Sequence, residues 1–124
     1  NGPGWIGVLM ESADAVLALE PARHHRERVD VGVVGPHPPD SEVAFELRVF
    51  FSDQHGGIIE DPVTGSFNAS AAQWLLGSGR ARSPYVAAQG TRLGRRGRIR
   101  VDQDGEAVWI GGRAETFFSG RTNF

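Results

Sequence analysis

The sequence predicts an α+β fold, in which a roll of mostly antiparallel or mixed sheet wraps around one central, buried helix. Three observations support this prediction. Residues 42–51 alternate apolar and mixed side chains, as a half-buried strand does. Residues 67–76 are apolar or small nearly all round, which is typical of a buried helix. The dipeptide Asp104-Gly105 lies between two apolar runs and is a strong signal for a β-hairpin.

The other elements are assigned in chain order from patterning and from turn residues. Residues 5–10 are rich in Ile, Val and Leu and predict a first strand. Ser12 is placed to cap a short helix at residues 13–19, which ends before Pro21. Residues 22–30 are charged and predict a loop. The remaining predicted strands cover residues 31–34, 85–89, 98–103, 107–111 and 114–118.

Length and composition fit one soluble domain that spans residues 1–124. The chain is 40% hydrophobic and 23% charged, so it can bury a core and still face water. No apolar stretch is long enough to cross a bilayer, and the first residues do not have the pattern of a signal peptide. We therefore expect a cytoplasmic protein without a membrane partner.

The absence of cysteine excludes several kinds of chemistry. The chain has no disulfide, no thiolate metal ligand and no cysteine nucleophile or base. His24 and His25 are neighbours close to Glu27, but adjacent residues do not converge on one ion, so we expect no metal site there. His37 and His55 lie in predicted loops and have no assigned role.

Charge is distributed unevenly along the chain. Residues 1–62 hold four arginines against eleven acidic residues, whereas residues 63–124 hold nine arginines against four. No aromatic residue that could stack on bases lies between Tyr85 and Trp109, so we expect no nucleic-acid binding. The alternatives are a solvated strand and loop, or a surface that docks on the acidic first half. The densest basic run consists of Arg92, Arg95, Arg96, Arg98 and Arg100.

The segment Glu-Asp-Pro-Val-Thr-Gly-Ser at residues 60–66 is the strongest candidate for a functional site. Gly65 allows a ligand to approach the backbone closely at the start of the predicted buried helix. The free N–H groups of a helix start, with the positive end of the helix dipole, suit a carboxylate or a phosphate. Asp61, beside this anion site, could then handle protons on the same small molecule. The alternative is that Thr64 or Ser66 only caps the helix and Asp61 completes the turn.

This heptapeptide precedes a helix of small residues and then the pairs Gln89-Gly90 and Gly94-Arg95, and the combination is similar to the C-terminal domain of PhzF-like proteins of phenazine biosynthesis. The opening Asn-Gly-Pro-Gly-Trp and residues 15–21 fit the same domain, so the resemblance covers nearly the whole chain. It implies a two-domain protein with the fold of diaminopimelate epimerase, in which each domain is a sheet curled around a central helix. The chain then corresponds to the C-terminal half, and the active site lies in the cleft between the domains.

The same resemblance implies an activity and its residues. Family members isomerise or epimerise small carboxylate-bearing metabolites by moving a proton at carbon, without a cofactor. The base is a Glu of the N-terminal domain, which we expect this chain to lack. Asp61 then acts as a catalytic proton relay or polar contact, and Gly65 and Ser66 hold the substrate carboxylate. Phe67-Asn68 follow this Ser where many members have Ala-His, which leaves the substrate open.

The exposed cleft of a separated domain has a consequence for assembly. A domain separated from its partner exposes an apolar cleft face, which favours self-association. We therefore expect a homodimer or a second, tightly bound polypeptide. The competing interpretation is a non-catalytic ligand-binding or interaction domain that retains the fold.

Overall fold

The computed structural model describes residues 2–123, and within them it has an α+β architecture. Asn1 of the opening motif and Phe124 lie outside the described residues. No helix in the described part of the chain is both long enough and apolar enough to cross a membrane. The strands are β1 (Ile6–Leu9), β2 (Asp30–Pro36), β3 (Phe45–Ser52), β4 (Ile58–Asp61), β5 (Tyr85–Gln89), β6 (Gly97–Asp104) and β7 (Ala107–Gly111). The helices are α1 (Ala13–Ala18), α2 (Gly65–Gly77) and a short 3-10 helix (Thr91–Leu93).

The seven strands form one curled, mixed sheet with the order β1-β2-β3-β5-β6-β7, and β4 pairs separately with β3. The pairs β1–β2 and β3–β5 are parallel, and the other pairs are antiparallel. Strand β3 has neighbours along both edges, and residues 45–50 are all buried. The predicted strand at residues 42–51 is therefore confirmed, with both ends shifted toward the C-terminus.

One face of β3 forms the main core with α2. Phe45, Leu47 and Val49 belong to one buried cluster with side chains of this helix. Gly32 of β2 makes room for Phe67, because a Cβ atom at Gly32 would lie only 2.1 Å from the Phe67 ring. The sequence predicts that the strand at residues 42–51 packs on the helix at residues 67–76, and this packing is confirmed. The helix side chains in the cluster are Phe67, Ala71, Ala72 and Leu75.

Helix α2 is buried on one face and not all round. The apolar pattern of residues 67–76 predicts that they form the most buried segment of the chain. This prediction is wrong, because β3 is the more completely buried element. Gln73 is exposed, and Trp74 keeps 37% of its surface in contact with solvent. Trp74 lies over β1, where its ring is 3.4 Å from the position that a Cβ atom would take at Gly7. An apolar helix residue such as Trp74 can cover an edge strand and remain partly exposed. The apolar pattern of the helix therefore does not show which of its faces is in contact with solvent.

The opposite face of β3 carries a buried cation beneath α1. The Arg48 side chain is only 3% exposed and donates to both carboxylate oxygens of Glu60, at 3.0 and 2.8 Å. It also donates from Nη1 to the carbonyl oxygens of Val16 and Leu19, at 3.2 and 2.6 Å. These carbonyls lie at the C-terminal end of α1, where a helix leaves acceptors unsatisfied and favours a positive charge. Arg48 therefore fastens α1 to the sheet.

Most of the predicted elements are confirmed with small shifts in their ends, and one is wrong. Ser12 caps α1 as predicted, because its hydroxyl accepts from the N–H of Ala15 at 3.1 Å. The predicted strand at residues 114–118 has no regular structure, and Phe117 and Phe118 are 81% and 95% exposed. β-Branched and aromatic residues favour a strand, but a strand also needs a paired neighbour. In the described part of the chain none lies beside this segment.

Tyr85, the only tyrosine of the chain, reports on the packing between β3 and β5. Its ring meets Phe45 edge to face with 5.3 Å between centroids, and burial raises the pKa of the phenol to about 12. An unfolded tyrosine has a pKa of about 10, so the folded state holds the proton more tightly and loses stability as the pH rises from about 10 to about 12. Ultraviolet titration of the phenolate should give a midpoint near pH ~12, falling to ~10 in denaturant. A midpoint of ~10 without denaturant would contradict the burial of this ring.

Candidate functional site

The candidate site lies where β4 ends and α2 begins. Asp61 is the last residue of β4 and pairs with Val49, whose side chain is buried in the α2 cluster. Residues directly opposite one another share a face of the sheet, so Asp61 lies on the α2 side. Its side chain is half-buried. The short segment from Asp61 to Thr64 therefore leads from a core strand directly to the start of the helix.

Thr64 connects the carboxylate to the helix start. Its hydroxyl donates to Oδ2 of Asp61 at 2.6 Å. The residue occupies the N-cap position of α2, but its side chain makes no cap hydrogen bond. The alternative in which Thr64 caps the helix with its hydroxyl is therefore wrong, because that hydroxyl is used to orient Asp61.

Gln89, at the end of β5, holds this segment in place. Its side chain is completely buried, with 0% exposure. Oε1 accepts from the N–H of Thr64 at 3.1 Å and from Nδ2 of Asn68 at 2.8 Å. Nε2 donates to the carbonyl oxygen of Asp61 at 2.9 Å and to the Thr64 hydroxyl at 3.0 Å. The four hydrogen bonds fix the end of β4 and the first turn of α2 relative to each other.

In the sequence, Gln89 is only part of the family pattern, and Asn68 stands where many members have another residue, so neither has a predicted role. The local signal was available, since Gln89 is the single polar side chain after the run Val-Ala-Ala in β5. A buried amide at such a position needs hydrogen-bond partners. What the sequence does not reveal is that these partners lie in the loop before α2.

The start of α2 presents backbone N–H groups that have no acceptor among residues 2–123. This applies to Gly65 and Ser66, and the first turn contains no acidic side chain. Around Gly65 the space is open, with no atom within 4 Å of the position that a Cβ would occupy. The Ser66 hydroxyl accepts from Nε1 of Trp5 at 3.2 Å. This bond uses an acceptor site of the hydroxyl and leaves its proton available for a ligand.

An open cavity of about 630 Å³ lies beside the helix start. Gly65 and Val63 bring the motif segment into its wall, and Ile99 and Ile110 supply an apolar side from β6 and β7. Asp61 does not line this cavity. The volume is within the range of small-molecule sites, roughly 300–1,000 Å³. The arrangement can therefore hold a small molecule with an anionic group at the N–H groups of the helix.

The histidines lie elsewhere and do not contribute to this site. Nε2 of His24 lies 3.0 Å from the carbonyl oxygen of His55, in the turn at the far end of β4 from Asp61. Nδ1 of His25 contacts the backbone of Glu27. Within residues 2–123, no group of three or more His, Cys, Asp or Glu side chains could hold a metal ion.

Comparison with known protein families agrees with these observations. The family model of phenazine biosynthesis-like proteins, PhzC-PhzF, matches residues 1–120. The chain belongs to this family. The match includes the motif at residues 60–66, Gln89 and the strands that form the cavity, and it confirms the resemblance that the motif indicates. No curated protein matches this phenazine biosynthesis-like chain.

Proposed function

We propose that this phenazine biosynthesis-like protein is half of a cofactor-independent isomerase or epimerase. The enzyme would move a proton at carbon in a small, carboxylate-bearing metabolite. The network around Gln89 carries the proposal, because its four hydrogen bonds hold the segment from Asp61 to Thr64 next to a helix start with free N–H groups. The Thr64 hydroxyl in turn orients the half-buried Asp61 carboxylate. Membership of the family supports the same class of reaction.

The proposal assigns separate tasks to the two ends of the motif. Gly65 and Ser66 would hold the substrate carboxylate through backbone N–H groups and the serine hydroxyl. The helix dipole contributes about 0.3–1 kcal/mol to such binding, and charge-assisted hydrogen bonds contribute more. Asp61, oriented by Thr64, would relay a proton or make a polar contact at the reacting carbon.

The remaining parts of the proposal concern the complete protein. A Glu of an N-terminal domain would act as the base, and that domain would close over the open space at Gly65. Residues 1–124 would form the other domain, with a diaminopimelate epimerase-like fold in which α2 is the central helix. The curled sheet that packs on α2 supports this arrangement. We further propose a cytoplasmic homodimer.

A ligand-binding domain without turnover is the second candidate. It is favoured by the observation that Asp61 does not line the cavity in this chain. The two candidates agree on binding and differ on proton transfer. Loss of turnover on removal of the Asp61 carboxylate would therefore decide for the enzyme.

Binding at the helix start is tested by adding valerate to the isotope-labelled chain and following the amide signals by NMR. The largest shifts should occur at the N–H groups of Gly65 and Ser66. Ser66→Ala should weaken valerate binding by about three- to tenfold, because it removes one hydrogen bond to a charged group. Ser78→Ala, at the other end of α2, is the matched control and should leave the affinity unchanged. Shifts confined to other residues would contradict the assignment.

A further inference from the structure

We propose that the cavity beside α2 binds a second anionic group of the substrate. The substrate would then be a dicarboxylate, with acidic groups at the two ends of a short apolar skeleton. This inference rests on the proposed function, which places the first carboxylate at Gly65 and Ser66. It goes further by assigning Arg96 and Arg98 as the residues that select the substrate class.

The cavity wall contains arginines that have no carboxylate partner among residues 2–123. Arg96 forms no side-chain hydrogen bond or ion pair with the residues that the structure describes. Arg98 donates only to the carbonyl oxygen of its neighbour Gly97, at 2.9 Å. Arg113 also lines the cavity and pairs with Glu115. Two of the three cavity arginines therefore have no carboxylate partner in this part of the chain.

Other arginines of the same basic run do have carboxylate partners. Arg92 pairs with Glu20 at 2.7 Å, which joins the basic second half of the chain to the acidic first half. Arg100 pairs with Asp102 at 2.9 Å on the same strand. Neither of them lines the cavity. Within the described residues, the two arginines of the run that line the cavity are thus unpaired, and Arg95, which does not line it, is unpaired as well.

The backbone around Gly97 brings these arginines close to the motif. A Cβ atom at this position would lie 2.6 Å from Cγ2 of Val63 and 2.5 Å from the carbonyl oxygen of Gln89. Real Cβ atoms do not come this close, so a larger residue would push β6 away from the motif segment. Glycine lets the strand pass directly against Val63, with one arginine on each side of the contact.

Part of the cavity wall is apolar. Val63, Ile99 and Ile110 line the cavity, and Ile99 is buried. A hydrocarbon skeleton would displace water from these side chains, and a guanidinium binds a carboxylate with two parallel hydrogen bonds. A ligand with an apolar skeleton and an anionic group for the arginines would therefore suit this wall.

The test compares linear dicarboxylates from succinate to pimelate with monocarboxylates of the same length, by calorimetry and by NMR amide shifts on the complete chain. The best dicarboxylate should bind at least about fivefold more tightly than its monocarboxylate, and only the dicarboxylate should shift the amide signals of Gly97 and Gly112. Arg96→Gln and Arg98→Gln should each remove much of this advantage. Arg100→Gln removes the same charge from β6 outside the cavity and should retain it.

The outcomes separate this inference from the proposed function. Monocarboxylates that shift Gly65 and Ser66, with no gain for any dicarboxylate, would overturn the second anion site and leave the proposed function standing. The second anion site would also be overturned if Arg100→Gln reduced the affinity advantage of dicarboxylates as much as Arg96→Gln does. A general effect of positive charge would then explain the binding. Tighter binding of inorganic phosphate than of any dicarboxylate would overturn the assignment to carboxylates. If no carboxylate shifts the amides at the start of α2, the proposed function fails together with the inference.

Discussion

Asp61→Asn should lower kcat of the complete enzyme by about 10²- to 10⁴-fold and change KM little. Asparagine has nearly the same shape, and its side-chain oxygen can still accept the hydrogen bond that the Thr64 hydroxyl donates at 2.6 Å to Asp61. The carbonyl oxygen that Gln89 binds is part of the backbone and is unaffected. The substitution therefore keeps the geometry of the motif and removes only the group that carries a proton.

Steady-state kinetics on purified variants provide the measurement. Asp40→Asn is a suitable control, because it makes the same chemical change in an exposed loop. Equal kcat values for the wild type, Asp61→Asn and Asp40→Asn would remove Asp61 from the mechanism. A large rise in KM with unchanged kcat would instead assign Asp61 to substrate binding.

Gln89→Leu should lower the free energy of unfolding by about 3 kcal/mol or more. Leucine fills a similar volume, but it leaves the N–H of Thr64 and the Asp61 carbonyl without the partners they have now. The Asn68 amide loses one acceptor and keeps its bond to the Thr64 carbonyl oxygen. Each buried polar group without a partner costs about 1–3 kcal/mol. The same variant should lower kcat, because the segment that orients Asp61 loses its attachment to β5.

Urea unfolding curves measure this loss of stability. Gln103→Leu is the matched control, because the residue lies on β6 with an exposed side chain, and its effect should stay within about 0.5 kcal/mol. An equally small change for Gln89→Leu would show that the four hydrogen bonds do not stabilise the motif. Loss of kcat without loss of stability would show that the role of Gln89 is confined to positioning Asp61.

Much of the sheet could be predicted, because local patterns determine it. The alternation at residues 42–51 predicts β3, and Asp104-Gly105 predicts the hairpin of β6 and β7, in which Asp104 pairs with Ala107. The run Ile58-Ile59 before the motif predicts a strand that delivers the carboxylates of Glu60 and Asp61, and β4 confirms it. The bounds of this four-residue strand depend on its pairing with β3. The prediction of a strand at residues 114–118 is wrong, because no strand in the described part of the chain pairs with this segment.

The sequence predicts the segment that forms the site but not the hydrogen bonds that hold this segment in place. The sequence of residues 60–66 identifies the carboxylate and the helix start, and both lie where the motif places them. Gln89 follows Thr64 by 25 residues, and the two meet only because β5 pairs in parallel with β3. The basic run likewise predicts a charged surface, whereas its division into paired and unpaired arginines depends on tertiary contacts.

Proton transfer at carbon is the central claim, and deuterium uptake from solvent tests it most directly. The complete protein would be incubated in heavy water with a set of small mono- and dicarboxylates, and the recovered acids would be analysed by mass spectrometry. Asp61 is half-buried, so a proton that it carries can exchange with water before it returns to carbon. We predict that at least one acid gains carbon-bound deuterium with the wild type and that Asp61→Asn abolishes the gain. No uptake into any acid by the wild type, or equal uptake by the variant, would contradict the account.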